Sequence, residues 1–286
     1  MQHHPAIAPG RTAVITGGAS GIGLAAGKRL AALGLNIVLA DLAGAKLDAA
    51  RAAVAEAASG AGAPDGDAVV RAVPTDVGRI ADLRALQAAA RDAFGDVGLL
   101  MNNAAISPMG KPWEAYEDWR RLIDTNLWGV INGVQAFAPA MVAAGKPAAI
   151  VNTGSKQGIT TPPGNAAYNT SKAGVKVFTE ATAYELRQTP GCAVTAHLLI
   201  PGFTHTGLTG TDEKPAAAWT AEQVVDFMLA AMASGDFYIL CPDNDVDRAT
   251  DEKRMAWAMG DIIENRPALS RWHPDFKDAF ARHMGD

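Results

Sequence analysis

The sequence has few cysteines and no strong excess of charge of either sign. Its 286 residues include only 2 cysteines, Cys192 and Cys241, which form neither a CxxC pair nor a metal-ligand cluster. This usage favours a reducing compartment, and we expect no metal site. The formal net charge is −5, and no long block of lysine and arginine occurs. We therefore expect no nucleic acid partner.

Long apolar runs are also missing. No stretch approaches the roughly 20 apolar residues that a membrane-spanning helix needs. The first ten residues, MQHHPAIAPG, lack a basic region followed by an apolar run. We therefore expect a cytoplasmic protein with no membrane partner. The histidines and prolines of this segment favour a flexible N-terminus over residues 1–10.

What the sequence does contain is an alternation of short apolar runs with longer alanine- and leucine-rich segments of helical period. The short runs predict strands at 12–16, 36–40, 68–73, 98–102, 148–153 and 193–200. The longer segments predict helices at 23–34, 46–58, 81–95, around 114–144 and at 166–188. This order indicates βαβ units, so we predict an α/β fold with one doubly wound, Rossmann-type parallel sheet and helices on both faces.

The alternation weakens after about residue 203. A helix at 220–233 and a short strand, DFYILC, are followed by a helical tail that contains Trp257 and Trp272. We predict a flexible segment 1–10, a single catalytic domain 11–245, and a helical C-terminal extension 246–286 that packs on the domain or on a partner subunit.

A glycine-rich turn, TGGASGIG, directly follows the first predicted strand and leads into a helix. Glycines let the chain turn tightly and let a pyrophosphate approach the backbone. The helix N-terminus supplies unpaired N–H groups and a favourable dipole. A glycine pattern alone is equally typical of an ordinary turn, but its place between a strand and a helix predicts a phosphate site.

Asp41 ends the second predicted strand, 18 residues beyond Gly23. A carboxylate there can accept hydrogen bonds from an adenosine ribose and would repel a 2′-phosphate. No arginine or lysine occurs at 42–45 or within the glycine turn. This pattern favours NAD over NADP, although Asp41 could also simply start a surface turn.

The stretch YNTSK places Tyr168 and Lys172 four positions apart. On a helix these residues share a face. A free tyrosine has a pKa of about 10, and a nearby cation lowers it, so Tyr168 could act as a general acid or base. Ser155 follows the strand 148–153, where ligands of open α/β sheets bind. Taken singly, these residues equally fit a solvated helix face and a turn.

These features, in this order, resemble the short-chain dehydrogenase/reductase family. TGGASGIG matches its TGxxxGxG turn, NNAA (102–105) its NNAG segment, and Ser155 with YNTSK its Ser and Tyr-x-x-x-Lys active site. DTNLWG places Asn126 at the family's fourth catalytic position, and PGFTHT (201–206) matches its PGxxxT segment. The resemblance covers about residues 11–206. The sequence departs from the pattern at Ala105, where glycine is usual, and at GSK, where paired serines are usual.

The resemblance implies a hydride transfer in which Tyr168 exchanges the hydroxyl proton and Ser155 orients the substrate oxygen. Lys172 lowers the pKa of Tyr168 and binds the nicotinamide ribose, Asn126 holds a water that links Lys172 to solvent, and Asp76 meets the adenine ring. The implied cofactor-binding residues are Gly17, Ser20, Gly21, Ile22, Gly23, Asp41, Asp76, Val77, Asn103, Ala104, Tyr168, Lys172, Pro201, Gly202, Thr204 and Thr206.

We therefore predict an NAD-dependent oxidoreductase that interconverts a secondary alcohol and a ketone, assembled as a homo-oligomer, either a dimer or a tetramer. Four apolar residues flank segments that border the substrate in this family and favour an apolar or aromatic substrate: Trp113, Phe203, Leu208 and Trp219. Two alternatives stay open, an NADP-dependent carbonyl reductase and a dinucleotide-binding sensor or scaffold without turnover.

Overall fold

The computed structural model describes residues 3–210 and 212–285. In these ranges the strands are β1 (Thr12–Thr16), β2 (Asn36–Asp41), β3 (Val70–Pro74), β4 (Val97–Asn102), β5 (Ala148–Thr153), β6 (Val194–Ile200) and β7 (Tyr238–Leu240). The helices are α1 (Gly21–Ala32), α2 (Ala45–Gly60), α3 (Ile80–Phe94), α4 (Tyr116–Ile123), α5 (Gly129–Ala143), α6 (Gln157–Thr160), α7 (Ala166–Gln188), α8 (Ala221–Ser234), α9 (Arg248–Ile263) and α10 (Lys277–Met284). None of these helices is both long and apolar enough to cross a membrane.

The strands form one parallel sheet in the order β3-β2-β1-β4-β5-β6-β7. The chain starts in the middle at β1, winds outward to β3, and then returns to β4 on the other side of β1. The carboxyl ends of β1 and β4 therefore form a topological switch point, where ligands of open α/β sheets bind. The predicted doubly wound, single-domain fold is confirmed.

Helices cover both faces of the sheet. One buried cluster packs α1, α2 and α8 against strand residues such as Ile15. A second cluster packs α3, α5 and α7 against the opposite face, at residues such as Val14. Because both faces are covered, β1 is buried at all five positions. This is why the strands appear in the sequence as continuous apolar runs rather than as an alternation.

The helix predicted around 114–144 is divided in the structure. Helix α4 ends at Ile123, residues Asp124–Trp128 form a π-helical turn, and α5 begins at Gly129. A π-helical turn accommodates one extra residue within a helix and is frequently found at functional sites. The turn contains Asn126.

Part of the N-terminal segment 1–10, which we predict to be flexible, packs against the domain in the structure. Ala6 and Ile7 are buried in the core, and His4 is nearly as buried. His4 Nδ1 accepts a hydrogen bond from the N–H of Ala6 at 3.1 Å, and its Nε2 lies 3.3 Å from Thr195 Oγ1. The apolar and hydrogen-bonding groups of this short segment fix it against β6.

The C-terminal extension folds around Trp257. The indole Nε1 donates to Ser270 Oγ at 2.8 Å, the Arg266 guanidinium lies 4.1 Å from the indole centre, and Phe280 of α10 packs against it at 5.3 Å. Met255 packs against a buried cluster that includes residues of β6 and β7. The extension therefore has a small core of its own and also contacts the domain of the same chain.

Candidate active site

The loop between β1 and α1 contains the glycine turn. Gly17 has a φ of +65°, and a Cβ added there would lie 2.7 Å from the Cα of Ala104. A Cβ on Gly23 would lie 2.2 Å from the carbonyl oxygen of Gly17, so neither position can accept a larger residue. Ser20 is the N-cap of α1 but makes no side-chain cap hydrogen bond, and Ile22 packs against the core. The first turn of α1 therefore lacks a side-chain cap.

Asp41 stands beside this turn at the carboxyl end of β2. Its Oδ2 accepts a hydrogen bond from the N–H of Ala19 at 3.0 Å, and its Oδ1 accepts from the N–H of Leu42 at 2.9 Å. The carboxylate thus joins the glycine turn to the end of β2. It does more than begin a surface turn.

Asp76 and Val77 follow β3. Asp76 is exposed, and its Oδ1 accepts from the N–H of Gly78 at 3.0 Å. Val77 is buried, and its carbonyl oxygen accepts from Asn132 Nδ2 at 2.9 Å. The two neighbours therefore differ: Val77 anchors this loop to α5, and Asp76 places a carboxylate at the surface.

Asn103 connects the carboxyl ends of three strands. Its backbone N–H donates to Thr16 Oγ1 at 3.0 Å, and its side-chain Nδ2 donates to the Thr16 carbonyl at 3.3 Å. Its Oδ1 accepts from Thr153 Oγ1 at 3.3 Å. Ala104 adds a backbone hydrogen bond to Thr16 Oγ1 at 3.3 Å. The ends of β1, β4 and β5 are thereby held together at the switch point.

Ser155, Tyr168 and Lys172 lie together at this edge of the sheet. Ser155 follows β5, and its hydroxyl lies near enough to the phenol of Tyr168 to lower the pKa of that phenol. Lys172 Nζ lies 5.6 Å from the centre of the Tyr168 ring and donates to the Thr153 carbonyl at 2.7 Å. Asn165 caps α7 by accepting from the N–H of Tyr168 at 3.3 Å. The cap fixes the start of the helix that carries both Tyr168 and Lys172.

Both ionisable groups of this cluster have shifted pKa values. Lys172 is completely buried, and burial lowers its pKa to about 8. Burial raises the pKa of Tyr168, and the nearby Ser155 hydroxyl acts in the opposite direction. Burial is the dominant influence on the phenol in this structure, and the lowering of its pKa by Lys172 stays a prediction.

Asn126 is fully buried in the π-helical turn. Its Oδ1 accepts from the N–H of Ile106 at 2.8 Å, and its Nδ2 donates to the carbonyl of Ile106 at 2.9 Å. Nδ2 also lies 3.4 Å from Ser171 Oγ on α7. The side chain therefore fixes the segment after β4 against the helix of Tyr168. The water between Asn126 and Lys172 stays a prediction.

The segment after β6 reaches the glycine turn. Pro201 is partly buried, and Thr204 is buried and donates from Oγ1 to the carbonyl of Gly202 at 3.2 Å. A Cβ built on Gly21 would lie 3.1 Å from the Cβ of Thr206. The segment 201–206 therefore extends from the end of β6 to the start of α1, across the switch point.

Two contacts at this edge were not found from the sequence. Lys156, directly after Ser155, forms ion pairs with Asp243 and with Asp251 of α9. The one sequence feature that pointed to Lys156 was the unusual GSK tripeptide. Asn165 Nδ2 also donates to Ser107 Oγ at 2.8 Å, and the preference for asparagine at helix N-caps could have predicted its capping role.

The described residues fit a nicotinamide dinucleotide. The helix N-terminus of α1, without a side-chain cap, suits a pyrophosphate. The Asp41 carboxylate at the end of β2 suits ribose hydroxyls. The ammonium of Lys172 has three donors, and the structure gives it one hydrogen bond among the described residues, to Thr153. It therefore retains donors for a ribose.

The doubly wound sheet and its glycine turn place the chain among Rossmann-type α/β proteins. The sequence model of the short chain dehydrogenases matches residues 11–217. The chain belongs to the short-chain dehydrogenase/reductase family, whose members are oxidoreductases, and it is an enzyme that acts on CH–OH groups.

Relatives and solved structures agree with this assignment. The chain is 32% identical over 275 residues to 1-deoxy-11-beta-hydroxypentalenate dehydrogenase of Streptomyces arenae, with 92% of this chain and 93% of the relative covered. A short-chain dehydrogenase/reductase from Burkholderia phymatum in complex with NAD superposes with a TM-score of 0.79 at 32% identity, covering 91% of this chain and 96% of that one. A metagenomic short-chain oxidoreductase in complex with NADP gives a TM-score of 0.66 at 27% identity, covering 82% and 97%. The family therefore binds NAD or NADP.

Proposed function

We propose that this enzyme is an NAD-dependent dehydrogenase that interconverts a secondary alcohol and a ketone, with Tyr168 as the general acid/base. One observation carries the proposal. The Ser155 hydroxyl lies near enough to the phenol of Tyr168 to lower its pKa, and the buried ammonium of Lys172 lies 5.6 Å from the centre of the Tyr168 ring, all at the switch point beside the glycine turn. A proton acceptor, a second hydroxyl group and a cation therefore converge where ligands of this fold bind.

Each residue has a definite part in alcohol oxidation. The Ser155 hydroxyl orients the substrate oxygen toward Tyr168, and the Tyr168 phenolate takes the hydroxyl proton as the alcohol becomes a ketone. Lys172 stabilises that phenolate, whose charge burial disfavours. Asn126 keeps the segment at Ile106 fixed beside α7. When bound, the nicotinamide cofactor accepts the hydride, or supplies it in the reverse direction.

One residue of this chain and one structural relative support NAD as the cofactor. The Asp41 carboxylate stands 3.0 Å from the N–H of Ala19 in the glycine turn, where it would repel a 2′-phosphate. The structural relative at 32% identity contains NAD. NADP-dependent reduction remains the alternative because another relative contains NADP. Asp41→Ala should weaken NADH binding, measured by NADH fluorescence, with little effect on NADPH. An unchanged preference would contradict the role of Asp41.

The surroundings of Tyr168 support an apolar substrate. Tyr168 is in a cluster with Leu122 and Ala167, against which Ile106 and Trp119 pack. Of the four apolar residues singled out in the sequence, Phe203 and Leu208 are partly exposed on or next to the segment after β6. The other two are placed differently, because Trp219 packs edge-on against Phe227 and Trp113 is highly exposed with Pro112 and Tyr116.

The test is the absorbance of reduced nicotinamide after purified protein is mixed with NAD or NADP and a panel of aliphatic, aryl and steroidal secondary alcohols. Tyr168→Phe keeps the ring and removes the hydroxyl, so it should bind NADH normally and lose turnover by about 100-fold or more. Unchanged turnover in Tyr168→Phe would refute the mechanism. NADH binding by the wild type without turnover across the panel would instead favour the sensor alternative.

Assembly and compartment are also proposals. The exposed aromatic residues Tyr116 and Trp128 lie on one side of the α4–α5 segment and support a contact between subunits. Sedimentation velocity would distinguish a monomer from the proposed dimer or tetramer. Both cysteines are unpaired in the structure, which supports a reducing compartment such as the cytoplasm.

A further inference from the structure

Lys156 is the residue directly after Ser155, and its charge is almost removed from solvent. Its Nζ lies 2.6 Å from Asp251 Oδ2 and 3.4 Å from Asp243 Oδ2. The side chain of Lys156 is 17% exposed, and those of both aspartates are 6% exposed. The three residues belong to the loop after β5, the loop after β7, and the first turn of α9. A single ammonium therefore joins three separate segments.

Asp243 extends this contact to the segment after β6. The same Oδ2 that faces Lys156 also accepts from the backbone N–H of Phe203 at 3.1 Å. Gly202 packs directly against the ion pair, because a Cβ built on it would lie 2.9 Å from Lys156 Nζ and 2.8 Å from Asp243 Oδ2. The cluster thus holds the segment 201–206, which reaches the glycine turn at Thr206.

Lys156 also lies within the turn that presents Ser155. The Ser155 hydroxyl accepts from the N–H of Gln157 at 3.1 Å, and the Ser155 carbonyl accepts from the N–H of Gly158 at 3.0 Å. Because the side chain of Lys156 is anchored on both aspartates, the backbone between these two hydrogen bonds cannot rotate freely. The position of the Ser155 hydroxyl depends on that backbone.

We propose that Lys156 is a positioning residue that couples Ser155 to the segment 201–206 through Asp243 and to the C-terminal extension through Asp251. The inference rests on the proposed function, because it assigns Lys156 a role in holding the hydroxyl that orients the substrate. Under this proposal, the extension beyond residue 246 helps to hold the active site in position, although no residue of that extension belongs to the proposed catalytic set.

Two variants separate positioning from simple stability. Lys156→Met leaves two buried carboxylates without their cation, so it removes the coupling and destabilises the fold. The double variant Lys156→Met/Asp251→Leu also removes one of those carboxylates. Asp243 stays satisfied in it, because Oδ1 accepts from the N–H groups of Asp245 and Val246 and Oδ2 from that of Phe203. The double variant should therefore regain thermal stability without regaining the coupling.

A matched control is available within the extension. Arg266 and Asp261 form an ion pair at 3.0 Å with side chains 12% and 13% exposed, and the pair lies beside Trp257 rather than beside Ser155. Arg266→Met should lower thermal stability and leave kcat within about twofold of the wild type.

The measurements are kcat and KM for an alcohol that the wild type oxidises, NADH affinity, and hydrogen exchange of residues 153–160 and 201–206. We expect kcat to fall by about 10- to 100-fold in both Lys156 variants, since a displacement of about 1 Å in a substrate-positioning group has an effect of this size. Exchange should become faster in both segments, and the double variant should recover only its melting temperature.

Recovery of kcat and exchange protection together with stability in the double variant would overturn the inference. An equal fall of kcat in Arg266→Met would overturn it as well. If Lys156→Met does not fold, the kcat and exchange of the double variant alone are compared with those of the wild type. Absence of wild-type turnover would count against the proposed function, whereas exchange at 153–160 and 201–206 would still decide whether Lys156 couples the two segments.

Discussion

Two regions of the active-site edge hold a buried lysine in opposite ways. Lys172 is completely buried with the neutral carbonyl of Thr153 as its hydrogen-bond acceptor, and its pKa falls to about 8. Lys156 is held between the carboxylates of Asp243 and Asp251. A cation whose partner is neutral can still interact electrostatically with a neighbouring group. The charge of a cation between two anions is already compensated by them.

The difference in partners makes Lys172 suited to a chemical role and Lys156 suited to a structural role. The lowering of the Lys172 pKa from 10.5 to about 8 corresponds to roughly 3 kcal/mol by which burial disfavours the charged form. The fold tolerates this unfavourable contribution because hydrogen bonds around Thr153 and Asn103 hold the ends of the strands together. Active sites commonly retain such locally unfavourable groups, which the rest of the structure offsets.

The comparison predicts its largest effect for Lys172→Met. Loss of the cation removes the group that stabilises the Tyr168 phenolate, so kcat should fall by about 10²- to 10⁴-fold. The variant should fold and should be at least as stable as the wild type, because an uncompensated buried charge is removed. Steady-state kinetics and urea unfolding provide the two measurements.

Lys176→Met is the matched control for this prediction. Lys176 lies one turn further along α7 and forms a partly exposed ion pair with Glu180 at 2.8 Å. Such pairs contribute about 1 kcal/mol or less, and kcat should stay within about twofold. A Lys172→Met protein with normal kcat, or one clearly less stable than the wild type, would contradict the contrast between the two lysines.

A second prediction concerns alkaline pH. Burial lowers the folded-state pKa of Lys172 to about 8 from 10.5, so between these values the unfolded chain binds a proton that the folded protein does not. The free energy of unfolding therefore gains a favourable contribution from Lys172 as pH rises from about 8 to 10.5, approaching roughly 3 kcal/mol. Below pH 8 the full unfavourable effect of the buried charge is present.

The difference between wild type and Lys172→Met isolates this contribution from other groups that titrate at high pH. The stability advantage of the variant should be greatest near pH 7 and should shrink toward pH 10.5, as measured by urea unfolding at a series of pH values. A difference that does not change with pH would mean that the pKa of Lys172 is the same in the folded and unfolded protein, and would contradict this prediction.

The smallest effect is predicted for a third buried polar group, the histidine pair under β6. A chain of hydrogen bonds begins at the backbone N–H of Ala6 and ends at the carbonyl of Asp236. Between them it passes through the side chains of His4, Thr195 and His197. If His197 Nδ1 donates to that carbonyl, its Nε2 accepts from Thr195, and His4 Nε2 donates to Thr195. Every link then uses a neutral imidazole. Burial lowers the pKa of both rings.

Acid should therefore weaken the fold at this site. As pH falls through about 6.5, the unfolded chain takes up protons that the folded pair does not, so stability decreases until the lowered folded-state pKa values are reached. His197→Gln should reduce the dependence of urea unfolding on pH between 7.5 and 5, by less than the alkaline effect of Lys172. His3→Gln is the neighbouring control, and an equal reduction there would contradict the assignment.

Much of the fold and of the candidate site could be predicted from the sequence because their signals are local. Strand β5 and helix α7 have the predicted bounds, since an apolar run and a helical period define them. The order of the motifs predicted Ser155, Tyr168 and Lys172 as one site, and the structure brings them together at the edge where the carboxyl ends of the parallel strands meet. Their catalytic roles stay a prediction.

The remainder depends on contacts between distant segments. The pKa of Tyr168 is raised because residues near 106 and 122 bury it, and no local pattern indicates how deeply. Lys156 and Asp243 are 87 positions apart in the chain, so their pairing appears only when β5 and β7 are assembled. The π-helical turn at Asp124–Trp128 has the same apolar period as a continuous helix, which concealed it.

The hydrogen bond from Asn165 to Ser107, together with the backbone bridge between Gly110 and Asn165, has a consequence for protein engineering. The residue that caps α7 is also attached to the loop after β4. A new loop grafted between positions 107 and 115 to change substrate preference would pull on the cap of Tyr168 and so alter the catalytic rate as well as selectivity. Grafts that retain Ser107 should transfer preference with the least loss of rate.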